Sequence, residues 1–361
     1  MNFFSKAIPP IDSHLLSQIN SAFDNLIEKL IKIDLKRLGI SEYNQRYLGN
    51  KLVNPMSKLQ IYSYLLALSL AGNRRSLNEF SFVDYGGGSG FLSLLAKELG
   101  IGNVIYNDIY EVSCGDVETL SRAIGSNIDE YICGDIDDLI EYVNKQAISL
   151  NAICSYDVIE HIYNIESYLR KLPLLSNSSF RIVLGSGANI RNPRTRRALR
   201  KTHLKVEYQD RVKKWGHKER DTLKGYLTAR KEIINNYFPE ADRNTINEIA
   251  KSTRGLMKQD IEKCVDEYRK TGEISYNPDH PTNTCDPYTG NWAEHLMDIE
   301  WLESILKEEG FDVKILSGYW PYSKNIYKRL IKKVLNLGIK NLGKAGLFIS
   351  PYYVLYADYD V

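Results

Sequence analysis

The sequence predicts an α/β fold built on a doubly wound, mostly parallel sheet. Three observations carry this. Residues 79–100, EFSFVDYGGGSGFLSLLAKELG, read as a short apolar strand, a glycine loop and a helix. The same alternation of strand and helix repeats as far as residue 184, as a parallel sheet requires. At 361 residues, 43% hydrophobic and 25% charged, the chain can bury a full core with room for inserted elements.

In the first unit Phe82 and Val83 form a buried strand that ends in Asp84, and Gly86, Gly87, Gly88 and Gly90 make the turn. Phe91, Leu92, Leu94, Leu95 and Leu99 then recur at helical spacing, with Gly100 as a stop. Glycines let the backbone approach a ligand closely, and a helix N-terminus favours polar or anionic groups. The order Asp84-x-Gly86-x-Gly88-x-Gly90 departs from the dinucleotide pattern G-x-G-x-x-G. The second strand, Val104 to Asn107, runs into Asp108, about twenty residues past the loop, where a ribose-binding acid is expected. An ionised carboxylate offers only acceptors, which suits two neighbouring hydroxyls. Strand three, Tyr131 to Cys133, precedes Gly134-Asp135-Ile136, where Asp135 or Asp137 also suits a helix N-cap. Strand four, Asn151 to Ser155, leads into YDVIEHIYNIESYL, and strand five spans Phe180 to Leu184. A helix from Ile299 to Glu309, the strand in GFDVKILSGYW and a last strand from Leu347 to Ala357 complete the sheet.

The Asp84–Gly90 loop resembles motif I of the class I S-adenosylmethionine (SAM) methyltransferases. The D-V-I-E-H-I block, Asp157 to Ile162, resembles methyltransferases of the ubiquinone O-methylation type and their sugar and secondary-metabolite relatives. The resemblance covers roughly residues 80–185 and resumes near 298. It implies a Rossmann-like, seven-stranded class I methyltransferase sheet with an antiparallel last strand, and SAM as cofactor. It also implies roles: Asp84 orients the methionine amino group, and Gly86, Gly88 and Gly90 lie along the cofactor. Asp108 holds the ribose, Ile109 lies beside the adenine, Asp135 accepts from the adenine amino group next to Ile136, and Ser155 belongs to the same set. The chain divides into an N-terminal helical cap (1–78), a SAM-binding core (79–188), a helical insertion on the substrate side (189–297) and the rest of the core (298–361).

Outside the core, Ile11 to Leu38 reads as an amphipathic helical region and Ser57 to Ala71 as a second apolar helix. Between them Ser41 to Leu52 reads as a polar loop whose Tyr43 and Tyr47 close over cofactor or substrate. The insertion is far longer than an ordinary connection and rich in base from Arg191 to Lys231. Arg191 and Arg194 there offer forks for an anionic acceptor, or belong to a solvated helical face. Trp292, with Glu294 and His295, from the turn-rich stretch 277–297, is a candidate for the acceptor wall. The segment 324–344 carries basic residues and no acid. Its apolar side covers the core or lies on an anionic membrane surface.

Methyl transfer to a hydroxyl needs a proton removed and the nucleophile held in line with the methyl. Asp157, Glu160 and His161 fall at i, i+3 and i+4, one face if the segment is helical. His161 then serves as general base, oriented by Asp157 or Glu160, with His203 a second candidate. The same three side chains also form a half-site for Mg²⁺. In ubiquinone-pathway enzymes the metal-binding block reads E-x-x-E-H, whereas Asp157 stands first here. The expectation is O-methylation of a small-molecule or sugar hydroxyl, phosphate-bearing or lipid-linked, as in polysaccharide biosynthesis. The alternatives are a metal-assisted RNA 2′-O-methyltransferase and a catalytically silent SAM-binding protein. No N-P-P-Y motif precedes the block, which speaks against base methylation. Five dispersed cysteines without a C-x-x-C pair argue against a zinc ribbon or a disulfide framework and fit a reducing cytoplasm. MNFFSKAIPP is too poor in apolar residues for a secretory leader, and no run reaches transmembrane length.

Overall fold

The computed structural model describes residues 9, 11–176, 178–212, 218–278 and 280–360. Three helices come first: α1 (Ser13–Ile31), α2 (Glu42–Leu52) and α3 (Pro55–Ser69). Strand and helix then alternate: β1 (Ser81–Tyr85), α4 (Phe91–Leu99), β2 (Asn103–Asp108), α5 (Glu111–Ala123), β3 (Glu130–Cys133), α6 (Ile136–Lys145), β4 (Ala152–Tyr156), α7 (Ile165–Lys171) and β5 (Phe180–Ser186). The insertion contributes α8 (Pro193–Tyr208), α9 (Tyr226–Tyr237), α10 (Arg243–Ser252) and α11 (Lys258–Thr271). The core closes with α12 (Ile299–Glu308), β6 (Phe311–Ser317), α13 (Ile326–Leu342) and β7 (Tyr353–Tyr359).

The strands form one seven-stranded sheet in the order β3-β2-β1-β4-β5-β7-β6. Neighbours from β3 through β5 are parallel, and β7 lies antiparallel between β5 and β6. This is the Rossmann-like, class I methyltransferase topology. Adjacent residues of each strand enter different cores, because side chains alternate across the sheet. Phe82, Val104, Cys154 and Val183 pack under α1, α3 and α4. Val83, Ile105, Ile153 and Ile182 pack under α6, α7 and α12. Burial on both faces explains why the strands read as continuous apolar runs.

Three expectations need correction. Ser41–Leu52 is not a loop: Ser41 caps α2, and the buried side of that helix is Tyr43, Asn44, Leu48 and Lys51. A helix whose inward face is mostly polar shows no apolar period. The first helix ends at Ile31, not Leu38. Segment 324–344 does not cover the core with its apolar side, since the buried residues of α13 are Asn336 and Ile339. In addition, Cys114 on α5 and Cys133 at the end of β3 are joined in a disulfide, while Cys154, Cys264 and Cys285 are free and buried. The βαβ crossover brings the first pair together (Cα–Cα 6.2 Å) although they are dispersed in sequence. Most of MNFFSKAIPP lies outside the described residues.

The insertion has a small core of its own, Ile233, Ile234, Ile249, Ile261 and Val265. Beside it the fully buried Arg230 pairs with Glu207 of α8 and donates from Nε to the Ala250 carbonyl at 2.8 Å. Thr284 Oγ1 donates to the same Glu207 carboxylate at 2.8 Å, so one acid joins α8, α9 and the returning chain. Removing one partner of a buried pair leaves an uncompensated charge and costs about 3–5 kcal/mol. Glu207→Ala is therefore expected to lower stability by about that amount in urea denaturation; a loss below about 1 kcal/mol would place the pair at a solvated surface instead.

Candidate active site

At the carboxyl end of β1 the loop turns on Gly86, Gly88 and Gly90, with φ of +65°, +55° and +71°. Packing demands two of these glycines. A Cβ on Gly86 would come within 2.7 Å of Val158, and one on Gly90 within 2.4 Å of Val117. The loop is fastened to β2: the Gly88 N–H donates to Asp108 Oδ2 at 2.9 Å, and the Tyr106 hydroxyl donates to the Gly88 carbonyl at 2.9 Å. Asp108 Oδ1 accepts from the Tyr110 N–H at 2.8 Å. An ionised carboxylate has about four acceptor positions, and these two N–H donors take up two of them on Asp108. Next to it Ile109 is 54% exposed, an apolar shelf of the kind an adenine ring needs. Asp84 accepts through Oδ2 from the backbone N–H (3.0 Å) and hydroxyl (2.7 Å) of Ser93. Burial pushes its carboxyl up to about 6, against the pull of Ser93 and Lys51. Ser155 is fully buried on β4, and its hydroxyl has no partner among the described residues.

Asp135 and Ile136 begin the next helix. Asp135 caps α6, accepting from the Asp137 N–H at 2.8 Å, while Asp138 accepts from its own N–H in return. Ile136 is buried in the core.

Helix α2 forms a wall against this loop. Tyr43 stacks on Tyr47 (5.7 Å between centroids) and meets Tyr110 edge-on (5.1 Å). The Tyr47 ring lies 3.5 Å from where a Gly88 Cβ would be. One turn further on, Lys51 is a residue that sequence reasoning missed. Its buried ammonium sits over the Tyr47 ring (4.3 Å) and donates to Ser89 Oγ at 2.8 Å, directly behind the loop. The spacing Tyr43, Tyr47, Lys51, four residues each time, is the signal that could have found it. From the other side the insertion reaches over: Tyr110 donates to Glu219 Oε2 at 2.9 Å, and Lys218 stands 5.4 Å above the Tyr110 ring.

The second half of the site lies at the carboxyl ends of β4 and β5. Asp157, Glu160 and His161 do not share an α-helical face. Asp157 is left-handed (φ +57°), and Ile159–His161 form a 3₁₀ turn. The chain nevertheless brings the two acids together, because the Gly187 N–H donates to both Asp157 Oδ1 (3.1 Å) and Glu160 Oε1 (3.2 Å). Lys58 of α3 stands 3.6 Å from Asp157 Oδ2. Glu160 is fully buried, and burial, then the charges of Asp157 and Glu294, hold its carboxyl well above the usual range. Burial also raises Glu294, the acid between Trp292 and His295 and the other left-handed residue here (φ +62°).

His161 Nδ1 lies 2.8 Å from the Trp292 carbonyl. A carbonyl can only accept, so Nδ1 carries a proton, and the lone pair of the neutral ring falls on Nε2. Nε2 is 4.0 Å from Glu294 Oε1. His203, by contrast, is buried with both ring nitrogens engaged, Nε2 donating to the Glu294 carbonyl (2.9 Å) and Nδ1 facing Thr282 Oγ1 (3.1 Å). Both nitrogens are thereby spent on the Glu294 backbone and on Thr282. Trp292 is buried between Tyr163 and His295, with ring centroids at 6.2 and 4.0 Å, and its indole donates to the Tyr163 carbonyl. The His295 N–H donates to the Glu160 carbonyl at 3.0 Å, and burial lowers its imidazole to about 3, so it stays neutral. Arg191 pairs with Glu300, and Arg194 is exposed on the first turn of α8, so neither side chain meets Asp157 or His161. Among the described residues no group of three or more His, Cys, Asp or Glu is arranged to hold a metal ion.

The raised carboxyl of Glu160 has a thermodynamic consequence. Folding retains its proton, while the unfolded chain releases it above about pH 4.5, so stability falls as pH rises past that value. Glu160→Gln is therefore expected to raise Tm at pH 7–8, with the gain vanishing below about pH 4.5. A Tm difference independent of pH in calorimetric scans would sink this assignment.

No family model matches the chain, and no curated protein matches it. Among solved structures, the plantazolicin methyltransferase BamL, in complex with a triazolic desmethylPZN analog and SAH, aligns over 98% of this chain and 100% of its own at 11% identity and a TM-score of 0.42. A SAM-dependent methyltransferase from Mesorhizobium loti aligns over 82% and 95%, at 12% identity and a TM-score of 0.36. SMU.776, assigned as a methyltransferase and solved with SAH, aligns over 40% of this chain at 11% identity and a TM-score of 0.30, and the chain spans 38% of its length. On the order and direction of its own seven strands, this chain has the class I methyltransferase fold.

Proposed function

We propose that the protein is a SAM-dependent methyltransferase that methylates a hydroxyl of a small neutral acceptor, a sugar or similar polyhydroxy compound of glycan assembly, with His161 as general base. The observation that carries this reading is the state of His161. Its Nδ1–H is committed to the Trp292 carbonyl, and its basic Nε2 is left beside Glu294, one turn from the residue that packs on the glycine loop. SAM, when bound, supplies an electrophilic methyl group on a sulfonium. The chain binds it through the glycine loop, the two remaining acceptor positions of Asp108 and the shelf of Ile109. Asp157 and Glu294 accept hydroxyl protons of the acceptor and orient it. His161 Nε2 takes the proton of the attacking hydroxyl, and Glu294 stabilises the imidazolium that results.

The expectation of an anionic acceptor finds no support in the side chains around His161, which are acidic. The same acids disfavour RNA, a polyanion. They do favour a second reading, an amine acceptor, whose proton His161 would remove in the same way.

Calorimetry with SAM and SAH tests the cofactor end. Two hydrogen bonds to a charged group, each about 1.5–3 kcal/mol, predict at least about a hundredfold weaker binding for Asp108→Ala. No binding by the unaltered protein would overturn the proposal. SAH release on panels of sugars, amines and RNA tests the acceptor end. His161→Gln is expected to lower kcat by about 10²–10⁴ with SAM affinity unchanged; binding without turnover on any panel would leave a silent SAM-binding protein.

A further inference from the structure

Helix α13 is mounted inside out. Its attachments to the body are polar apart from the buried Ile339: Asn336 exchanges hydrogen bonds with the Trp320 backbone at 2.7 and 3.0 Å, and Lys332 Nζ donates to the Pro321 carbonyl at 2.9 Å. At 100° per residue, Ile326, Tyr327, Leu330, Ile331, Val334 and Leu337 fall on the opposite side. Each is at least 60% exposed. An amphipathic helix of a globular protein ordinarily turns that stripe inward, and a contiguous exposed patch of this kind marks an interaction surface. Nor does the patch stop with the helix. Lys324 reaches the Val53 carbonyl (3.4 Å) at the end of α2, and Val53 is itself 72% exposed.

Charge identifies the partner. Residues 324–344 hold seven Lys and Arg and no acid, and Lys328 and Lys333, exposed, flank the apolar stripe on its two sides. A second copy docked symmetrically through this face would set cations against cations. An anionic lipid surface meets both requirements, taking the apolar side chains below the headgroups and the lysines at them, with the exposed Tyr327 suited to the interface. Among the described residues no helix is long and apolar enough to cross a membrane, so α13 lies on the surface and does not span it. We infer that α13 is an in-plane anchor that holds this protein on an anionic membrane surface.

Co-sedimentation of the full chain with phosphatidylcholine vesicles, with and without phosphatidylglycerol, tests this. Binding is expected to need the anionic lipid and to weaken as salt rises. Leu330→Asp and Val334→Asp should each weaken it about tenfold or more, and Lys328→Glu with Lys333→Glu should do the same. Because these side chains are exposed, Tm should hold in all variants. No binding to anionic vesicles at low salt would overturn the inference. So would binding indifferent to all four substitutions, or a dimer in solution that Leu330→Asp dissociates, which would assign the face to a second copy. None of these readouts depends on methyl transfer.

Discussion

One backbone N–H, that of Gly187, holds the substrate end of this molecule together. By donating to Asp157 and Glu160 at once it fixes two carboxyl groups side by side at the seam between β4 and β5. A fully buried carboxylate beside a second, half-exposed one would be costly. The structure meets the cost by keeping Glu160 protonated and by setting Lys58 against Asp157. The left-handed backbone of Asp157 follows from the same arrangement, since its own N–H donates to the Gly185 carbonyl (3.0 Å) while its side chain folds back onto Gly187. Glu160 then passes the constraint on, because its carbonyl accepts from the His295 N–H. Through that bond and the one from His161 to Trp292, the chain returning from the insertion is seated on the 3₁₀ turn. Glu294 arrives there as a consequence.

The two halves of the site are coupled by van der Waals contact. Val158, between Asp157 and the turn, is the residue that leaves no room for a side chain on Gly86. A shift of the turn would therefore move the glycine loop, and with it the Gly88 N–H that Asp108 holds. Helix α2 closes the circuit from above, with Tyr47 at Gly88 and Lys51 at Ser89. A buried ammonium among aromatic rings is stable only where its donors are used, and Lys51 spends two of its three on Ser89 and Tyr62.

What was legible in the sequence is what local chemistry dictates. The strand–glycine–helix unit and the position of Asp108 depend on neighbours in the chain, and the topology follows from their repetition. Helix α2 was illegible by apolar period because its buried face is tyrosine, asparagine and lysine, satisfied by partners such as Asp116 that lie far off in sequence. Asp157, Glu160 and His161 were legible as a cluster but not in geometry. Their convergence comes through Gly187, a partner on another strand. Glu294 was legible beside Trp292 and His295, but its place next to His161 is set by His203 and Glu160, which hold the backbone on either side of it. Arg191 shows the converse: a basic residue in a basic stretch, it is spent on Glu300.

Amphipathicity poses a subtler problem in α13. Periodicity tells which residues segregate, and says nothing of which side turns inward. That choice belongs to the surface the helix lands on, here the Trp320–Pro321 backbone, which offers hydrogen-bonding groups and so selects Asn336 and Lys332. The net charge of +2 conceals the result. Acids gather at the ends of β4 and β5, where the insertion meets the sheet, while exposed cations lie on α13 and α8. Fields from such separated charges reach about a Debye length, ~8 Å at physiological salt. A molecule entering near His161 therefore meets the acids, and an extended anionic surface meets α13 first. The proposed acceptor and the proposed anionic surface thus do not compete, because the charges that favour each lie on different elements of the fold.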